Sequence, residues 1–276
     1  RVVSKYGLRL AIILMGLTLS IMQVLSVGRY ALIVMMFTLT TAFLGGFLIG
    51  KLFHMDWKLS GLISVGTGIC GGSAIAAVAP TIKASNHYIA YAISVTFIFD
   101  LMMVLLFPLM GTILGMDDLG FGLWAGTAIN DTSSVVPASY TFSDTAGAFA
   151  VIVKLTRTLA IIPAVLIFSF VNAKLSKSDN QETPHDDRSI GKVVPKFIIV
   201  FLMMVLLNST GIITENIRYN ASMISQFMMV MALGAIGLNT NAKTVLKSGY
   251  KPLIHGLIVS MLVVIVAFIV QFFIVQ

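Results

Sequence analysis

Nine long apolar runs divide this chain, at residues 8–27, 30–52, 59–81, 89–114, 121–138, 146–171, 197–213, 221–238 and 252–275. A helix needs about 20 predominantly apolar residues to cross a bilayer, so a chain with this succession of runs has few places to go except into a membrane. Its composition agrees. Of 276 residues, 58% are hydrophobic and 11% charged, and the mean hydropathy of +0.98 lies far from that of a soluble domain. The fold class expected is therefore an all-α polytopic membrane protein, a single integral domain over residues 1–276 with no soluble appendage. One cysteine, Cys70, excludes an internal disulfide and a cysteine-rich metal site. The four histidines show no metal-ligand spacing, and no haem, zinc, nucleotide or hydrolase signature is present. No enzymatic activity is expected. The chain opens on Arg1 with no signal-peptide pattern, which raises the expectation that further helices precede it.

The formal charge of +7 is explained by topology rather than by nucleic acid. If all nine runs cross, thirteen basic residues, among them Lys51, Lys58, Lys174, Lys196 and Lys251, fall on one face. Arg29, Lys83 and Arg218 fall on the other, and Lys154 and Arg157 lie inside the sixth run. The basic face is then cytoplasmic in a bacterial cell membrane, with the start of the chain inside and Gln276 outside. The polar connection at 172–196 reads as a solvated cytoplasmic loop between two halves.

Two internal echoes suggest duplication. Residues 15–33 align without a gap on 236–254, with seven identities in nineteen positions, and the count of crossings makes these segments antiparallel, the mark of an inverted repeat. A weaker echo pairs GTGICGGSAI at 66–75 with GTAINDTSSV at 126–135. For this pair nine crossings predict parallel segments, so either one of them is re-entrant or the likeness is one of chemistry alone.

Both members of the weaker echo are poorly suited to a plain helix. Gly66, Gly68, Gly71 and Gly72 each weaken a helix by roughly 1 kcal/mol relative to Ala, and Pro80 follows. The fifth run carries Thr127, Asn130, Asp131, Thr132, Ser133 and Ser134 before Pro137. Unwound backbone in hydrocarbon is tolerated only when buried in protein or lining a cavity, so two discontinuous helices at a binding site are expected. Asp131 either turns inward to a cavity or partner, or lies in a surface loop. Lys154 and Arg157, at i and i+3, share one helix face. They either snorkel to the interface or face Asp131 or an anionic substrate. Asp100, in the middle of the fourth run, reads equally as a proton or cation site and as the ion-pair partner of Lys154 or Arg157. Cys70 reads as packing with a small polar edge. Asn208 to Thr210 and Asn239 to Asn241 read as helix-terminal caps.

The stretches GTGICGGSAIAAVAP, FGLWAGTAINDTSSVV and VKLTRTLAIIP, with GLRLAIILMGLTL near the start, resemble the YeiH family of bacterial membrane proteins, labelled sulfate exporters. That family is distantly similar to the bile-acid symporter and sodium/proton antiporter group. The resemblance implies a transporter in which inverted repeats bring two discontinuous helices together at the membrane midplane. This chain departs from the family in having Asn130 where His is common beside the Asp, and Gly72 where Ala is common.

The expected function is secondary active transport of a small anion, sulfate or an organic sulfonate or carboxylate, by alternating access; export is compatible with the sequence, and the direction depends on gradients rather than on residues. Gly66, Thr67, Cys70, Gly71, Gly72, Ser73, Thr127, Asn130, Thr132, Ser133, Lys154 and Arg157 are expected to line its site. Asp131, with Asn130 and then Asp100, is expected to take a coupling proton or sodium ion. Cation/proton antiport is the alternative within transport, and a non-transporting membrane subunit is the alternative outside it. The partners expected are the small anion and the bilayer, without nucleic acid, and a homodimer is compatible with the sequence.

Overall fold

A computed structural model of the chain describes residues 10, 13–14, 16–18, 21–177, 196–239 and 250–275. Among the described residues every element is helical. Helix α1 (Ile21–Thr40) passes through a π turn (Thr41–Gly45) into α2 (Gly46–Leu52). Then come α3 (Trp57–Gly68), α4 (Gly72–Val78), α5 (Asn86–Ile113), α6 (Asp118–Ala128), α7 (Thr132–Phe142), α8 (Asp144–Thr158) and α9 (Ile161–Lys177). The chain closes with α10 (Lys196–Ser209), α11 (Glu215–Asn239) and α12 (Tyr250–Val275). Four stretches, Tyr30–Leu52, Asn86–Ile113, Asp144–Leu175 and Tyr250–Phe273, are long and apolar enough to cross a bilayer. The expected boundary between the first two runs, at residues 28–29, is absent, because α1 runs unbroken through it. A lone Gly-Arg pair interrupts hydropathy without breaking a helix.

The third and fifth runs are both broken, as expected, but they turn back rather than cross. In the third, α3 stops at Gly68 and α4 starts at Gly72. Gly71 takes the positive φ of 61° that the turn requires and donates its N–H to the Gly66 carbonyl at 2.8 Å. Continued straight, Gly61 and Thr81 would stand about 30 Å apart at 1.5 Å per residue. Instead Gly61 packs against the Phe168 ring, while the Thr81 carbonyl accepts from Asn172 Nδ2 at 3.4 Å. Phe168 and Asn172 are only one turn apart on α9, so α3 and α4 are the two arms of a re-entrant hairpin. In the fifth run Phe121, near the start of α6, stacks on Phe142, at the end of α7, with ring centroids 4.0 Å apart. That contact makes α6 and α7 a second hairpin.

The two hairpins enter from opposite faces. Gly66 lies against Thr96, and Asp100, one turn further along α5, reaches the tip of the second hairpin, which abuts Gly71. Helix α5 therefore runs parallel to α3, from the base of the first hairpin to the far face, where the second begins. Lys83 accordingly shares a face with Lys58, which corrects its expected placement on the sparse side. The arms α3 and α6 have 12 and 11 residues, or roughly 16–18 Å of helix, about half of a 30 Å hydrocarbon layer. Their tips meet near mid-depth.

This geometry settles the weaker sequence echo. Aligned on 66–75 and 126–135, the first arms end at Gly68 and Ala128 and the second arms start at Gly72 and Thr132, in identical register. The two segments are inverted copies of one hairpin. The stronger echo, 15–33 on 236–254, falls partly outside the described residues.

Packing follows the hairpins. Phe107, Phe121, Trp124 and Phe268 form an aromatic cluster around the second, where Trp124 Nε1 donates to the Val264 carbonyl at 3.0 Å. Ile63, Ile69, Ile75, Val78, Val95 and Phe99 form the core around the first. Gly126 lies against Val153 and the Ala150 carbonyl, so α8 runs parallel to α6 and carries Lys154 and Arg157 to the tips.

Candidate functional site

The two tips, Ile69–Gly71 and Ile129–Asp131, touch: a Cβ on Gly71 would stand 3.2 Å from Asp131 Cβ. Bringing two helix breaks together inside hydrocarbon concentrates unpaired backbone groups, and the charged residues of the sequence satisfy them. Lys154 and Arg157, both buried, do not snorkel. Lys154 Nζ donates to the Ile129 carbonyl at 2.6 Å. Arg157 spans both hairpins, with Nη1 donating to the Thr127 carbonyl and Nη2 to the Thr67 carbonyl, the latter at 3.3 Å. Thr67 and Thr127 are equivalent positions of the repeat, so one guanidinium bridges matching carbonyls of two inverted copies.

The carboxylates serve the opposite ends. Asp100 Oδ1 accepts the backbone N–H groups of Asn130 and Asp131, each at 3.1 Å. Asp131 caps α7, accepting from the Ser133 N–H at 3.1 Å and from the Ser133 hydroxyl. Helix C-termini carry partial negative charge and N-termini partial positive charge. Cations therefore sit where α3 and α6 end, and carboxylates where α7 begins. The sequence expectation paired Lys154 and Arg157 with Asp131, Asp100 or an anion; among protein groups their hydrogen bonds go to backbone carbonyls and not to either carboxylate. Asp131 is not in a surface loop, since Asn130 and Thr132 on either side of it are buried.

Several polar atoms at this junction have no hydrogen-bond partner: Thr67 Oγ1, Asn130 Oδ1 and Nδ2, and Arg157 Nε, all buried. An unsatisfied buried group costs about 1–3 kcal/mol, and a cluster of four at the meeting of two helix breaks marks a place built to receive another polar species. Gly66, Cys70, Gly71, Thr127, Thr132 and Ser133 are buried around it, whereas Ser73 is exposed and Gly72 faces open space. The residues singled out in sequence thus gather around one junction. Its exposed edge is the start of α4 together with half-buried Asp131.

The family model described as Conserved hypothetical protein 698 matches residues 1–256. A UPF0324 membrane protein of Clostridium tetani is 62% identical over 276 residues, covering 97% of this chain and 80% of that relative. This chain is a UPF0324 family membrane protein. Its UPF0324 relatives include SAG1125 of Streptococcus agalactiae, 40% identical with 92% of this chain and 76% of the relative covered. Another is FN0533 of Fusobacterium nucleatum, 40% identical with 92% and 77% covered. These names specify a membrane protein and no substrate. No solved structure matches the chain.

Proposed function

We propose that this UPF0324 protein is the translocating domain of a secondary transporter for a small anion, sulfate or an organic sulfonate or carboxylate, working by alternating access. The observation that carries this is the set of unpartnered donors at the hairpin junction: Arg157 Nε–H, the Asn130 amide and the Thr67 hydroxyl. Three buried donors without a partner at one junction, one of them on the guanidinium itself, suit the acceptor oxygens of an oxyanion. Hairpins entering from opposite faces suit alternating access, because either one, by withdrawing, opens the junction to its own side. Asp131, half-exposed beside Ser133, would take the coupling proton or sodium ion, and Asp100 would sense its charge through the shared tip. The lysine-rich face is assigned to the cytoplasm of a bacterial cell.

A second reading, cation/proton antiport, is favoured by one feature: the group nearest the open edge is a carboxylate, not a cation. One experiment separates the two. The full chain in proteoliposomes under an imposed pH or sodium gradient is expected to accumulate labelled sulfate, a sulfonate or a small carboxylate. Collapse of the pH gradient by sodium pulses without uptake of any anion would establish the antiport reading. Absence of both fluxes would return the protein to a non-transporting role.

A further inference from the structure

Away from the junction, a cavity of about 530 Å³ opens between the π turn and α2 on one side and α3 and α9 on the others. Its volume lies within the range of about 300–1,000 Å³ typical of small-molecule sites, but its chemistry is not that of a polar substrate. The lining is mostly apolar, with Phe43, Phe47 and Phe168 prominent, and its hydroxyl residues are Thr40, Ser60 and Ser64. All three hydroxyls are spent on backbone carbonyls, Thr40 Oγ1 donating to Met36 at 2.8 Å, Ser60 Oγ to Gly46 at 2.9 Å and Ser64 Oγ to Ser60 at 2.8 Å. The cavity therefore offers apolar surface and no free hydroxyl. It opens sideways toward lipid, since Leu44, Phe47 and Ile167 are more than half exposed. A π turn widens a helix at this point and brings Phe43 within 6.0 Å of Phe168, centroid to centroid.

Each wall continues into a lysine. Lys51 lies one turn beyond Phe47 on α2, Lys58 one turn before Gly61 on α3, and Lys174 one turn beyond Val171 on α9. All three are at the same end, because α2 runs antiparallel to α3, with Gly46 against Ser64 and Gly50 against Ser60. Helix α9 does likewise, since the chain descends from Arg157 beside Thr67, near the end of α8, to Phe168 beside Gly61 on α9. Lys51 and Lys174 are exposed, and Lys58 stands 5.9 Å from the ring of Trp57, an aromatic residue suited to the interface.

We infer that this cavity holds an acyl chain of an anionic phospholipid from the lysine-rich leaflet, with the headgroup phosphate against Lys51, Lys58 and Lys174. The apolar, laterally open lining takes the chain, and the three ammonium groups one turn beyond take the charge. The site stands apart from the hairpin junction and does not depend on what the protein transports.

The test is lipid binding to the full chain in mild detergent, followed by native mass spectrometry with phosphatidylglycerol, phosphatidylcholine and glycerol phosphate as probes. Phosphatidylglycerol is expected to bind at least about tenfold more tightly than phosphatidylcholine. The K51Q/K58Q/K174Q variant should erase that preference, and Ile167→Trp, which fills the cavity from its lipid-facing rim, should weaken both lipids. Equal binding of the two lipids by the unaltered chain would overturn the assignment, as would a preference that survives loss of the lysines. Glycerol phosphate competing as well as the whole lipid would show a headgroup site only. Conversion of a dimer to a monomer by Ile167→Trp would show that a second copy of the chain fills the groove.

Discussion

Arg157→Leu is expected to abolish transport and to lower the melting temperature of the purified protein by about 5–15 °C. The size of the effect follows from what the guanidinium holds. It is 1% exposed and donates to one carbonyl of each hairpin, Thr67 and Thr127. Both carbonyls are buried in the last turn of a half-helix that ends inside the protein, with no backbone N–H of the helix left to replace the lost donor. Leu is too short to reach either carbonyl and leaves both orphaned, at about 1–3 kcal/mol each. Arg157→Lys should recover part of the stability, because an ammonium reaches one carbonyl but lacks the planar fork that spans two. Thermal unfolding in detergent, read beside flux in proteoliposomes, checks both. An Arg157→Leu protein that melts like the parent would show that the hairpins are not tied through this residue.

Asp131→Asn is expected to do the reverse: to leave melting unchanged within a few degrees while reducing gradient-driven flux to that of empty vesicles. The amide oxygen of Asn can still accept the Ser133 N–H that Asp131 caps at 3.1 Å, and Asn is as good an N-cap as Asp. What it cannot do is gain and lose charge. Asp131→Ala, which removes the cap as well, should cost a further 0.5–2 kcal/mol or so in stability. Full coupled transport by Asp131→Asn would remove Asp131 from the coupling site and leave the task to Asp100.

Much of this was legible in the sequence, for reasons that can be named. The apolar runs follow from the demand of hydrocarbon on every spanning segment, and the break at residues 69–71 was written in glycine. Asn130 and Asp131 were visible as polar groups with no inexpensive exposure to lipid. The turning back was legible only as an alternative, and for one segment rather than both, because a crossing and a hairpin bury the same kinds of residue over the same length. Two signals pointed to it. The register of 66–75 on 126–135 made no sense as parallel crossings, and Lys83 fell on the face that the other lysines avoid. The partners of Lys154 and Arg157 were also missed, since sequence reasoning pairs charge with charge. Here the opposing charge is the partial one on helix-terminal carbonyls, which no side chain announces.

The tip-to-tip hairpins are tested most directly by which face their bases occupy. Single cysteines placed at Lys51, Lys83, Asp117 and Asp144 in a Cys70→Ala background can be labelled with a membrane-impermeant maleimide in sealed vesicles of known orientation. All four positions are exposed at the ends of the hairpins. Positions 51 and 83 are predicted to react from one face, and 117 and 144 from the other. Labelling of 51 and 83 from opposite faces would mean that the third segment crosses, and the junction described here would not exist.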